Sequence, residues 1–191
     1  MKDYQRSYPL FSLCGLNCGL CPMHLNRYCP GCGGGEGHQP CAFIRCSLQH
    51  GKVEYCFLCD EYPCDRYRGV TDYDSFITHQ HMHKDLEKAK RIGLDTYQAE
   101  LNEKIRILQN LLDNYNDGRR KSFFCIAVNL LDLDDIKCVM EQLTVKENPA
   151  APIKEKAVLA VNLFQAMAEK RHIRLKLNRK PKGKQSSASS D

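Results

Sequence analysis

The sequence contains no tryptophan, and none of its apolar stretches is long enough to cross a membrane. A membrane span needs roughly 18 to 20 consecutive apolar residues, and no window of this chain approaches that length. The first residues, MKDYQRSYPLFSLCGL, also lack the apolar run and the small-residue cleavage site of a secretory signal peptide. We therefore expect a soluble, cytoplasmic protein with no membrane partner.

Motifs that would supply a nucleophile, a general base or a phosphate-binding loop are also absent. The histidine-rich stretch THQHMHK has no glutamate in an HExxH arrangement. Cys14, Cys18 and Cys21 do have the C-x3-C-x2-C spacing of radical S-adenosylmethionine enzymes. The alternating strands and helices of the large barrel that those enzymes require do not follow. Whether the protein is an enzyme is therefore uncertain, and the sequence favours a protein without catalytic activity.

Cysteine is abundant, with twelve in the chain, and ten of these lie between Cys14 and Cys64. In a reducing compartment, C-x2-C pairs belong to metal or redox sites more often than to disulfides, which leaves a disulfide framework as the less favoured alternative. The chain has three such pairs, and a turn of two residues can point both sulfurs at one tetrahedral centre. The candidate metal ligands are Cys14, Cys18, Cys21, Cys29, Cys32, Cys41, Cys46, Cys56, Cys59 and Cys64.

The number of thiols sets the expected number of metal ions. Ten thiols fill two four-cysteine zinc sites with two left over. As an alternative, His24 and His38 together would complete a third site, although the sequence favours exposed loop positions for both. We therefore expect two or three structural zinc ions, because a site closed by four thiolates has no open position for catalysis. The spacing does not determine which cysteines share an ion.

An iron–sulfur cluster accepts four cysteines as readily as zinc does. However, the C-x2-C-x2-C-x3-C-P run of ferredoxins is absent, and pairs separated by loops suit discrete mononuclear sites better. Zinc is therefore the favoured metal. The alternative is a redox protein that carries an iron–sulfur cluster or a reversible dithiol.

The chain divides by composition into three parts, and we predict an α-rich fold. Residues 1–70 form a small irregular Cys-rich zinc module, residues 71–172 form a bundle of four or five helices packed on it, and residues 173–191 form a basic, disordered tail. The predicted helices run from Asp74 to Ile92, from Asp95 to the NYNDG stretch, over Lys121–Leu131, from Asp132 or Asp134 to Asn148-Pro149, and from Pro152 to Arg171.

The formal charge of +5 is concentrated at the end of the chain. Residues 169–191 contain eight Lys or Arg and only two acidic residues, whereas the rest of the chain is close to neutral. A basic tail of this kind can bind an acidic partner or nucleic acid. A nucleic-acid-binding zinc-knuckle protein is therefore a further alternative, although few cations lie between the cysteine pairs.

The cysteine motifs together resemble a known family. CGLNCGLCP, CPGC, CAFIRC and CFLCDEYPC are similar to the motifs of the uncharacterised Cys-rich family filed as domain of unknown function 3795. The stretch GRRKSFFCIAVNLL resembles that family's second signature. The resemblance implies a zinc-binding protein that uses the same ten cysteines, and it implies no substrate or reaction.

Overall fold

The computed structural model describes residues 4–38 and 41–180. Within these residues it contains seven α-helices and no β-strand, so the predicted α-rich fold is confirmed. None of the helices found there is long and apolar enough to span a membrane. The helices are α1 (Pro22–Leu25), α2 (Ala42–Gln49), α3 (Met82–Ile92), α4 (Leu94–Asn114), α5 (Lys121–Leu130), α6 (Leu133–Lys146) and α7 (Ile153–Lys170).

The Cys-rich part of the chain consists mainly of turns, as its glycine and proline content predicts. Besides the short helices α1 and α2, it has three single 3-10 turns, at Cys18–Leu20, Cys56–Leu58 and Asp65–Tyr67. Gln5 and Gly34 form an isolated antiparallel bridge that joins the start of the chain to the CPGCGG turn. Two of the three C-x2-C pairs, Cys18/Cys21 and Cys56/Cys59, therefore sit on a tight turn, which is the local geometry expected of a metal knuckle.

Helices α3 to α7 form the bundle, and α4 is its longest member. Helix α4 packs against α3, α5 and α6, while α7 packs against α5 and α6. The core between them is apolar, because each helix turns one hydrophobic stripe inward. Fully buried members of this core include Leu108, Leu111, Phe124, Leu143 and Phe164.

One helix begins later than the sequence predicts. The predicted start is Asp74, whereas α3 begins at Met82 and ends, as expected, at Ile92. The Asp74 carboxylate accepts hydrogen bonds from the backbone N–H groups of His79 and Asn178, both at 2.6 Å. An aspartate that bonds nearby backbone N–H groups competes with the helical pattern, so the segment before α3 forms turns.

The segment after α7 differs from expectation as well. The alternation in HIRLKLNRK predicts a short strand, but the structure shows irregular backbone there. Asp74 donates its N–H to the carbonyl of Asn178 (2.7 Å), and Arg179 donates to the carbonyl of Ser75 (3.3 Å). The segment therefore packs on the turns that precede α3. Residues 181–191, for which we predict disorder, lie outside the described residues.

The first cysteine loop lies against α3 at Gly15. This glycine has a φ of 97°, and a Cβ atom there would lie 2.2 Å from the carbonyl oxygen of Met82 and 2.9 Å from the Leu86 side chain. Any larger residue would displace the start of α3. The loop that carries Cys14 and Cys18 is thus in direct contact with the helical bundle.

We predict that Gly15→Ala destabilises the fold far more than Gly118→Ala. Gly118 also has a positive φ (88°), but no other atom lies within 4 Å of the position its Cβ would take. Gly118→Ala therefore reports conformational strain alone, about 1–2 kcal/mol. Gly15→Ala adds a clash with backbone, which we expect to cost roughly a further 1–3 kcal/mol. Urea denaturation of the two variants measures the difference, and equal losses would contradict the close contact.

Candidate metal centres

The ten N-terminal cysteines line two separate cavities. The first cavity, of about 20 Å³, is lined by Cys46, Cys56, Cys59 and Cys64, and we call it the four-cysteine cavity. The second, of about 180 Å³, is the six-cysteine cavity. None of the twelve cysteines of the chain forms a disulfide. The six cysteines that line the second cavity are Cys14, Cys18, Cys21, Cys29, Cys32 and Cys41.

Tight turns position the thiols of the four-cysteine cavity. Cys59 donates its N–H to the carbonyl of Cys56 (3.0 Å), which closes the turn between this C-x2-C pair. Cys64 directly precedes the 3-10 turn Asp65–Tyr67, and Cys46 comes from the second half of α2. Burial raises the pKa of Cys56, a hydrogen bond from Tyr67 opposes this rise, and the neighbouring thiols add to it, which together give a pKa of about 12. This thiol is neutral unless a cation stabilises its thiolate.

His50 lies at the same cavity, and sequence reasoning did not identify it. Its Nδ1 is 3.6 Å from Cys46 Sγ and 2.9 Å from the Cys46 carbonyl oxygen, while Nε2 is 3.2 Å from Glu61 Oε1. Hydrogen bonds to that carbonyl and to Glu61 raise the pKa of the imidazole. The i, i+4 spacing of Cys46 and His50 was the signal that could have found it.

Two C-x2-C pairs, Cys18/Cys21 and Cys29/Cys32, line the six-cysteine cavity. Cys21 donates its N–H to the carbonyl of Cys18 (3.1 Å), and Cys32 donates to the carbonyl of Pro9 (2.9 Å). Gly31, with a φ of 98°, lets the second turn approach Pro9, since a Cβ there would lie 2.6 Å from that carbonyl oxygen. Burial raises the pKa of Cys18, Cys21 and Cys32, so these thiols are also neutral without a cation.

Cys41 and Cys14 line the same cavity from other directions. Cys41 is the N-cap of α2, and its sulfur accepts the N–H of Ile44 at 3.5 Å. Cys14 is 5% exposed, and its sulfur lies 3.1 Å from the Ser12 hydroxyl oxygen. Burial raises the pKa of Cys14 strongly, and thiols of both cavities, Cys32 and Cys56 among them, add to this effect. The role of Cys14 as a metal ligand stays a prediction.

The thiols are clustered but are not arranged around a single point. Within the described residues, no group of three or more His, Cys, Asp or Glu side chains has the geometry to hold a metal ion. His24 Nδ1 lies 3.0 Å from the carbonyl oxygen of Cys29, and the His38 ring contacts Tyr4 with a centroid distance of 6.1 Å. Neither of these two histidines lines the four- or the six-cysteine cavity. The cavities thus bring together the predicted cysteines without the predicted histidines.

A buried polar network lies beside the six-cysteine cavity and was also missed from the sequence. Asn17, between Cys14 and Cys18 in the chain, donates from Nδ2 to Asp85 Oδ2 at 2.9 Å. Its Oδ1 accepts from the Tyr97 hydroxyl at 3.0 Å. Asn17 is 2% exposed, so both bonds are shielded from water. One side chain therefore ties the first cysteine loop to both α3 and α4.

Lys104 and Asn129 extend this network into the bundle. Lys104 donates to the carbonyl of Leu131 at 2.7 Å, and Asn129 Nδ2 has no hydrogen-bond partner in the described residues. Burial lowers the pKa of Lys104 and raises that of Asp85 to about 6. The cavity between these groups measures only about 10 Å³, which is the size of a single water molecule. The network therefore serves as a structural link and is too small to bind a substrate.

Comparison with family models, with curated proteins and with solved structures finds no match for this chain. The resemblance to domain of unknown function 3795 therefore stays a prediction. What the protein does has to be inferred from the geometry of its own residues.

We predict that Asp85 titrates near pH 6, well above the 3.8 of an exposed aspartate. Burial favours the protonated carboxyl in the folded protein, so the contribution of Asp85 to stability is greatest below pH 3.8. It is lost as the pH rises through about 6. Carbon NMR of the carboxyl group measures the midpoint directly, and Asp85→Asn identifies the signal by removing it. A midpoint at or below 3.8 would show that the burial has no electrostatic consequence.

Proposed function

We propose that this protein is a cytoplasmic zinc-binding protein in which two groups of thiolates hold structural metal ions. The supporting observation is the division of the ten cysteines between one cavity of four and one cavity of six. Thiolates are the ligands that structural zinc prefers, and four of them complete its tetrahedral shell. Two or three ions account for the ten sulfurs. The resemblance to the Cys-rich family agrees with this proposal.

The need for a metal follows from how little core the Cys-rich part has of its own. Apart from residues that join the helical core, its buried cluster consists of Tyr4, Leu13 and Ile44. Small modules with so few buried side chains gain stability from cross-links such as metal ions. A bound zinc ion would also make the burial of several thiolates favourable.

Closed thiolate sites favour a binding or scaffolding role over catalysis. A structural zinc ion with four cysteine ligands has no free position for water or substrate. The metal would instead stabilise the surface that the Cys-rich turns present to a partner. The chemistry of that partner is not indicated by the cavities themselves.

The zinc proposal predicts a defined metal content that changes with individual cysteines. Native protein should contain two or three zinc ions per chain by inductively coupled plasma mass spectrometry. Cys59→Ser should lose the ion of the four-cysteine cavity, Cys21→Ser should lose metal from the other cavity, and each should retain the remaining metal. Cys138→Ser is the matched control, because Cys138 lines neither cavity. Native protein without metal, or equal losses in all three variants, would contradict the proposal.

An iron–sulfur cluster in the six-cysteine cavity is the second candidate, favoured by the size of that cavity. Zinc binds sulfur at about 2.3 Å, so a single ion with four thiolates encloses little free space. A volume of about 180 Å³, against about 20 Å³ in the other cavity, leaves room for a body of several atoms. Four of the six thiols would ligate such a cluster, and the protein would then be a redox protein.

The colour of anaerobically purified protein distinguishes the two candidates. A cluster gives a brown protein with absorption at about 400 nm, whereas zinc gives no colour. For a cluster in the six-cysteine cavity, Cys29→Ser should remove the absorption and Cys59→Ser should preserve it. Colourless protein that contains zinc alone would eliminate the cluster.

A further inference from the structure

Arg6 is a cation buried beside the cysteine turns. Its side chain is 0% exposed. Nη1 donates to the carbonyl of Phe11 (2.6 Å), Nη2 donates to the carbonyl of Glu54 (2.9 Å), and the guanidinium lies over the Tyr55 ring, 4.7 Å from its centroid. Carbonyl oxygens and a ring face hold the group in place but do not cancel its charge. A buried charge is unfavourable unless an opposite charge compensates it.

Within the described residues, the positive charge of Arg6 is only partly compensated by a negative charge. Glu54 Oε1 lies 3.4 Å from Arg6 Nε, but this carboxylate is 36% exposed, and solvent screens part of its charge. The Nε atom itself has no hydrogen-bond partner in the described residues. A buried N–H group without an acceptor is unfavourable, so a neighbouring anion would stabilise the guanidinium.

Arg6 contacts the turn that carries Cys32 into the six-cysteine cavity. The backbone N–H of Arg6 donates to the carbonyl of Gly33 at 3.1 Å, which holds Arg6 against the CPGCGG turn. Gly33 leaves room for the side chain, since a Cβ atom there would lie 2.8 Å from Arg6 Cγ. Because Gly33 directly follows Cys32, the Arg6 side chain lies beside the Cys32 turn. Burial raises the pKa of the Cys32 thiol, and the positive charge of Arg6 is the largest effect that opposes this rise.

We infer that Arg6 is the counter-charge of the six-cysteine centre and donates a hydrogen bond to the Cys32 thiolate when metal is bound. A divalent ion held by four thiolates carries a net charge of −2, so a neighbouring cation stabilises the bound state. This inference rests on the proposed metal binding, and it makes Arg6 a positioning residue rather than a ligand. The cation that lines the four-cysteine cavity, Arg66, is exposed and therefore supplies no buried counter-charge.

Cadmium-substituted protein allows both centres to be observed separately by ¹¹³Cd NMR, in the full chain. In Arg6→Met, which keeps an apolar stem over Tyr55, the resonance from the six-cysteine centre should shift. The affinity of that centre for cadmium, measured by competition with a chelator, should fall by about tenfold or more. The resonance from the four-cysteine centre should not change. Arg6→Lys, which keeps the charge but loses the planar donor group, should give a smaller shift and a smaller loss.

Arg171→Met is the matched control. Arg171 forms a bidentate pair with Asp135 at 2.6 and 2.8 Å, and neither residue lines the four- or the six-cysteine cavity, so its loss tests destabilisation alone. If Arg6→Met left both resonances and both affinities unchanged, the counter-charge assignment would be wrong while metal binding stood. If both centres shifted together in the Arg6 variants, Arg6 would have a general structural role, and the assignment would again be wrong. Wild-type protein that took up no cadmium would refute the proposed function itself. Should Arg6→Met fail to fold, Arg6→Lys provides the same comparison.

Discussion

The Cys-rich segment buries or partly buries its ten thiols although it has very little apolar core of its own. Ordering each residue costs about 1–2 kcal/mol of backbone entropy, whereas a buried apolar side chain contributes roughly 1.5–3 kcal/mol. The small cluster of Tyr4, Leu13 and Ile44 therefore cannot order the Cys-rich turns. Their order has to come from contacts with the bundle and from whatever joins the thiols.

Contact with the bundle is extensive, because the Cys-rich part contributes side chains to the same core as the helices. Phe11, Leu20, Tyr55 and Tyr67 belong to one buried cluster with residues of α3 to α7. Gly15 brings the first cysteine loop against α3, and the Asn17 amide reaches the polar groups of α3 and α4. The two parts thus share a core, and a change in the cysteine turns would directly alter the packing of the bundle.

Near the six-cysteine cavity, a cation contacts one cysteine turn directly, whereas a carboxyl group is reached through a neutral amide. The Arg6 cation lies against the Cys32 turn, whereas the Asp85 carboxyl is separated from the thiols by the neutral Asn17 amide. Two negative groups in direct contact would each disfavour the ionised form of the other. An amide between them donates to the carboxylate without adding charge. This arrangement suits a cavity whose thiols become negative on binding a cation.

The amino-acid sequence predicted the long helices well, because helical periodicity is a local feature. The ten cysteines do lie together in two cavities, and their role as metal ligands stays a prediction. Hydrophobic periodicity identified the five long helices, and Gly93 marked the end of α3. The start of α3 was wrong because Asp74 is held by Asn178, more than a hundred residues later in the chain. Asn17 was missed for the same reason, since Asp85 and Tyr97 lie far away in sequence. The bond from Arg6 to the Glu54 carbonyl is also distant in sequence, and no local pattern marks either residue.

The division of the cysteines shows most clearly why spacing was not sufficient. Cys41 and Cys46 are separated by four residues, and on a turn such a pair can bind one ion. Here α2 begins between them, and residues five apart on a helix lie about 7.5 Å apart along its axis and roughly 140° apart around it. Their sulfurs consequently face different cavities. Cys41 caps the start of α2 and Cys46 lies within it. Metal bound in either cavity would therefore restrain the same helix. The two cavities are thereby connected through α2, although they share no cysteine.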